Sequence, residues 1–122
     1  MSIQSKILGD EGEQTACEHL LSLGWQIIER NFHSSQGEVD IIAKDQEFLV
    51  FVEVKSYSLA SFGTPVGAVR AAKKKSIIHA AKTYLQKNNI KDVYCRFDVI
   101  TIYRSYDGRR NIELYEDAFQ TN

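Results

Sequence analysis

Leu49-Val50-Phe51-Val52-Glu53-Val54-Lys55 reads as a β-strand that ends on two charges. Side chains alternate between the two faces of a β-strand. Val50, Val52 and Val54 therefore cover one face, and Leu49, Phe51, Glu53 and Lys55 share the other. The strand is strongly apolar. Two opposite charges stand side by side at its end. A buried charge costs several kcal/mol, on the order of the hydration it loses, unless it is paired or bound to metal. An exposed pair at the same place is a salt bridge worth ~0–1 kcal/mol. Glu-x-Lys taken alone does not separate the two readings.

Working outward, Gly37-Glu38-Val39-Asp40-Ile41-Ile42-Ala43 is a second apolar run. Alternation puts Val39 and Ile41 on one face and Asp40 and Ile42 on the other. Aspartate is disfavoured inside strands. An antiparallel meander places Asp40 across from Glu53, and two such carboxylates repel unless a cation lies between them. Two carboxylates with a backbone carbonyl, that of Val54, and waters suit the octahedral oxygen ligation of Mg²⁺ or Mn²⁺. Glu13 is a third carboxylate in an unusual place. It precedes Ala16, Cys17 and Leu20 by three, four and seven positions and so lies on the apolar stripe of a helix. It reads equally as a peripheral residue near the helix start. Lys73, between Val69 and Ile77 at helical spacing, is likewise on an inward stripe; snorkelling along a sheet edge is the simple explanation.

The remaining segments complete the order. Gly9 to Leu23 is predicted as a helix with Gly24 as its C-terminal cap. Trp25 to Phe32, Glu38 to Ala43 and Phe48 to Lys55 are predicted strands joined by short turns. Ser56 to Thr64 is the least regular segment. Thr64 and Pro65 then open a helix as N-cap and first turn, with Val66, Val69, Ile77, Ala80 and Tyr84 on one stripe, ending near Asn88-Asn89. Val93 to Tyr103 is a strand, Asp107-Gly108 a turn, and Asn111 to Tyr115 a last strand. Helix, three-strand meander, helix, strand, strand is an α/β arrangement, a central mixed sheet flanked by helices.

Composition bounds the rest. The 122 residues fit one domain spanning 1–122. No apolar run approaches the ~18 residues of a membrane span, and the first ten residues lack a secretory pattern. The expectation is a cytoplasmic protein with no membrane partner. Cys17 and Cys95 are read as reduced, mostly buried thiols, and His19, His33 and His79 as surface residues with no zinc-site spacing. The net charge is −1, so no overall basicity points at nucleic acid. The positive charge is nevertheless uneven, with Arg70, Lys73, Lys74 and Lys75 clustered. That cluster fits phosphate contacts and fits a solvated helix face equally well.

Glu13, then Gly37-Glu38-Val39-Asp40, then Phe51-Val52-Glu53-Val54-Lys55 resembles the PD-(D/E)xK nuclease superfamily. More narrowly, the chain resembles the YraN-like family of small bacterial proteins, itself similar to archaeal Holliday-junction resolvases. The likeness extends through Asn31-Phe32, Phe62-Gly63-Thr64-Pro65, Ala68-Val69, Lys73, Ala81, Tyr84-Leu85, Arg96-Phe97-Asp98-Val99 and Ala118-Phe119. Val39 stands where the superfamily's proline often precedes the aspartate. The resemblance implies a restriction-endonuclease-like fold. It implies Asp40 and Glu53 as metal-binding acids, Lys55 as the catalytic lysine and Glu13 as a helical glutamate that helps ligate metal. It also implies hydrolysis of DNA, including branched or repair-intermediate structures, and a homodimer. The alternative is a nuclease fold that binds nucleic acid without turnover. Asp98 belongs to the shared pattern, and a structural hydrogen bond to a loop is its expected role.

Overall fold

A computed structural model describes residues 3–57, 71–105 and 107–121, and of 3–10 the backbone alone. Seven elements follow in the order α1 (Ile3–Ser22), β1 (Gln26–Ser34), β2 (Gly37–Asp45), β3 (Phe48–Tyr57), α2 (Ala71–Lys87), β4 (Tyr94–Arg104) and β5 (Arg110–Tyr115). Thr64, Pro65, Val66, Val69 and Arg70 lie outside the described residues, as does most of the segment expected to be irregular. Ser56, expected to begin that segment, continues strand β3 instead.

Helix α1 begins at Ile3, well before the predicted Gly9. A glycine inside a helix costs about 1 kcal/mol relative to alanine and does not stop it. The other end is sharply defined. Gly24 takes φ +89°, its amide donates to the Leu21 carbonyl at 3.0 Å, and the Trp25 amide donates to Leu20 at 3.1 Å. This is a Schellman ending, and Trp25 and Leu20 make its apolar contact within one buried cluster. Trp25 is thereby drawn into the helix cap, so β1 starts one residue later than the pattern suggests.

The strands form one five-stranded mixed sheet in the order β1-β2-β3-β4-β5. β1, β2 and β3 pair antiparallel, β3 and β4 pair parallel, and β5 returns antiparallel to β4. The parallel pair requires a crossover, in which α2 lies. Each face of the sheet carries its own core. On one side α1 packs Ala16, Cys17 and Leu20 against Ile41, Val50, Val52, Ile100 and Ile102. On the other α2 packs Ile77, Ala80, Ala81 and Tyr84 against Phe32, Ile42, Leu49, Phe51, Phe97 and Val99. The alternation in β3 is thus as expected, with its even valines facing α1 and Leu49 and Phe51 facing α2.

One residue departs from the expected alternation. Val39 packs with Ile42 on the α2 side, not with Ile41. The β2–β3 ladder runs from Asp45↔Phe48 only to Ile41↔Val52, so β2 before Ile41 is free of β3. There α2 takes hold of it. The Glu38 amide donates to Ser76 Oγ at 3.1 Å. A Cβ on Gly37 would lie 1.9 Å from the Ser76 carbonyl oxygen, so only glycine admits the helix this closely. The strand twists towards α2, and its side-chain alternation breaks. Cys17 is buried as expected, while Cys95 is exposed. It stands near the start of β4, where the strand has not yet entered the core.

Candidate metal and phosphodiester site

The site forms where β2 and β3 part. One step beyond Ile41↔Val52 the register sets Asp40 opposite Glu53. The ladder does not continue there. Asp40 Oδ2 instead accepts a hydrogen bond from the Val54 amide at 2.8 Å, standing in for a strand carbonyl. That bond fixes the carboxylate at the mouth of the split. Glu53 is 3% exposed, and Lys55, two residues on along the same face, is 30% exposed. The Lys55 ammonium lies 3.7 Å from Glu53 Oε1. Lys73 reaches the same oxygen from α2 at 3.8 Å.

The other Glu53 oxygen decides how the arrangement reads. Glu53 Oε2 is buried and no donor reaches it. Burial is the largest influence on this group. The Asp40 charge comes next, opposed by Lys73, with a proton shared with Asp40 adding to the rise and Lys55 opposing it. The outcome is a carboxyl pushed up to about 8. Two acceptors side by side need something positive between them, a proton or a cation. A divalent metal ion fits this donor set. Asp40 and Glu53 supply two anionic oxygens, and a backbone carbonyl with waters would complete an octahedron.

Glu13 meets side chains of β1. It accepts from Arg30 Nε at 3.2 Å and from Asn31 Nδ2 at 2.9 Å. Among the described residues no three His, Cys, Asp or Glu side chains gather closely enough to hold an ion together. The physical reason is that α1 packs on the opposite face of the sheet from Glu53 and α2. Its link to the site is indirect. Arg30↔Ile41 and Phe32↔Val39 set Asn31 opposite Asp40, and Asn31 takes φ +53°, a conformation asparagine tolerates better than most residues.

The pattern of residues 12–102 matches the uncharacterised protein family UPF0102. A UPF0102 protein of Symbiobacterium thermophilum is 42% identical over 115 residues, 94% of this chain and 98% of the relative. One from Desulforapulum autotrophicum is 42% identical over the full length of both chains. One from Clostridioides difficile is 46% identical over 101 residues, 83% of this chain and 89% of the relative. The chain belongs to the UPF0102 family. This is the YraN-like family that the motifs resemble. The matched stretch begins one residue before Glu13 and ends beyond Lys73, so the site described above lies wholly within the UPF0102 pattern.

The described lysines of the basic cluster in this UPF0102 chain have different surroundings. Lys73 is turned to the carboxylates, with Glu38 Oε1 at 3.2 Å as well as Glu53. Lys74 lies over the Phe119 ring at 5.8 Å, and Lys75 is exposed. Burial alone would depress the Lys73 pKa; Glu53, Glu38 and Asp40 outweigh it and the net shift is upward. The inward stripe flagged Lys73, whereas its partner Glu38 stood in the sequence only as part of the Gly37-Glu38-Val39-Asp40 run. His33 is on the surface as expected, 3.1 Å from Glu38 Oε2. Asp98 is fully buried on the α1 side, gripped by Arg96 Nε and Nη2 at 3.0 and 2.9 Å. It accepts from the Asp117 amide at 2.9 Å, the loop hydrogen bond expected of it. Burial raises its pKa, and Arg96 and the Asp117 amide oppose the rise. No described helix is long and apolar enough to cross a membrane.

Proposed function

We propose that this protein is a metal-dependent nuclease that hydrolyses phosphodiester bonds of DNA. The observation that carries the reading is the buried, donor-less Glu53 Oε2 beside Asp40, with two ammoniums at the rim. Buried side-chain oxygens are as a rule hydrogen-bonded, and Glu53 has here only the neighbouring carboxyl of Asp40 with which to share a proton. Mg²⁺ or Mn²⁺ held by Asp40, Glu53 and the Val54 carbonyl would polarise a phosphoryl oxygen and acidify a bound water. Asp40 is oriented for this by the Val54 amide. Lys55, on the exposed side of Glu53, orients the attacking water and stabilises the negative charge that grows on the phosphoryl oxygens. The water oxygen bonds to phosphorus, the P–O bond to the leaving sugar oxygen breaks, one proton of the water passes to solvent, and the leaving oxygen takes a proton from solvent. Glu13 acts at one remove, holding Asn31 beside Asp40. Lys74 and Lys75, with Arg70, supply sequence-independent contacts to flanking phosphates.

The test is a cleavage screen of purified protein on linear, nicked, flapped and four-way DNA, with Mg²⁺ and with Mn²⁺. Cutting of one of these, lost in Asp40→Asn, supports the proposal. Tight DNA binding with no cutting of any substrate replaces it with the reading of a binding module on a nuclease fold. The same screen run with RNA counterparts decides the nucleic acid, and sedimentation of the protein on DNA decides whether it works as a homodimer.

A further inference from the structure

Lys73 is held more firmly than a phosphate-binding lysine needs to be. Its helix is clamped to β2 at two points, the Gly37–Ser76 backbone approach and the Glu38–Ser76 hydrogen bond. Ile77, one turn on, is fully buried in the α2-side core. The ammonium is thereby suspended between Glu38 and Glu53 with only 26% of the side chain exposed. Lys55 reaches the same Glu53 oxygen, but from the strand itself. Lys74 and Lys75, next along α2, do not share this placement.

We propose that Lys73, suspended from α2 between Glu38 and Glu53, is the site's internal counter-ion, which a divalent cation must displace in order to bind. The inference rests on the metal site proposed above. Lys55 at 3.7 Å and Lys73 at 3.8 Å already share Glu53 Oε1, so a divalent cation arriving at that carboxylate is repelled by both unless one of them withdraws. Lys73 has somewhere else to go, since Glu38 is half-exposed and already holds it at the shorter distance. Loading the site then means that the ammonium gives up Glu53 and leans on Glu38. Lys73 is a positioning residue here. It keeps the carboxylates together while no ion is bound, and it lowers the affinity for the ion.

The experiment is calorimetric titration of Mn²⁺ into the full chain without nucleic acid, comparing wild type with Lys73→Gln, Lys73→Met, Lys73→Arg, Lys74→Gln and Lys75→Gln. Lys73→Met preserves the packed stem of the side chain if the glutamine variant folds poorly. Removing a competing cation should tighten Mn²⁺ binding about tenfold in Lys73→Gln and Lys73→Met. Lys73→Arg, Lys74→Gln and Lys75→Gln should stay within about threefold of wild type. Equal or weaker binding in both neutral variants at position 73, with wild type binding normally, overturns the counter-ion role and leaves the metal site standing. Tightening of the same size in Lys74→Gln or Lys75→Gln also overturns it, because the effect would then be one of general charge. Absence of Mn²⁺ binding in every protein removes the metal site, and this inference with it.

Discussion

Replacing Glu53 by glutamine should make the metal-free protein's stability much less dependent on pH. In the unfolded chain Glu53 ionises near its ordinary 4.5, whereas in the folded chain burial and Asp40 push it up to about 8. Between those values the folded state binds a proton that the unfolded state has released, so stability falls as pH rises and levels off above about 8. Each unit of difference is about 1.4 kcal/mol, so going from pH 5 to pH 8 should cost the wild type on the order of 3 kcal/mol. That is a large fraction of the ~5–15 kcal/mol available to a typical domain. Glutamine mimics the protonated acid and does not titrate, and the other ionisable groups are common to both proteins. The assay is urea unfolding in EDTA at half-unit steps from pH 5 to pH 9, plotted as the difference between the two proteins. Asp40→Asn should recover part of the lost stability, because it removes the second cause of the shift. Saturating Mg²⁺ should flatten the wild-type slope, since the ion then takes the proton's place and Glu53 is ionised in both states across this range. A difference curve flat within about 0.5 kcal/mol would refute the reasoning, for the buried carboxyl would then be compensated by something already in the fold.

Four further outcomes are expected. Mn²⁺ at a hundred times its dissociation constant should stabilise wild type by about 2.7 kcal/mol, and Asp40→Asn should show no such shift in thermal melts. Lys55→Ala should lower single-turnover cleavage by about 10²–10³ while filter-binding affinity for DNA changes little, because its contact strengthens only in the transition state. Gly37→Ala should destabilise by about 1–3 kcal/mol in urea titrations, since the new Cβ meets the Ser76 backbone 1.9 Å away and α2 must retreat. Asp98→Ala should cost about 1.5–3 kcal/mol by removing the carboxylate that binds Arg96 and the Asp117 amide, with Arg96 keeping Asp45 at 3.1 Å, yet leave Mn²⁺ affinity per folded molecule unchanged, because that pair lies on the other face of the sheet.

What the sequence determined by itself was whatever depends on local periodicity. The two-residue period of Leu49 to Lys55 assigned Leu49 and Phe51 to one core and Val50 and Val52 to the other, as the two clusters show. The short turns around Gln36 and Gln46 forced the antiparallel meander, and with it the meeting of Asp40 and Glu53. The Gly24 ending was equally legible, because positive φ is a property of single residues. Which charged groups meet across long separations is instead a matter of packing. Glu13 and Lys73 both looked inward by helical spacing, yet spacing does not say which face of a sheet a helix covers. Packing put α1 and α2 on opposite faces, so Lys73 reached Glu53 while Glu13 came to rest on Arg30 and Asn31. The displaced Val39 has the same origin. Its alternation was overridden by the close docking of α2 on Gly37, a contact between residues nearly forty positions apart that no local pattern encodes.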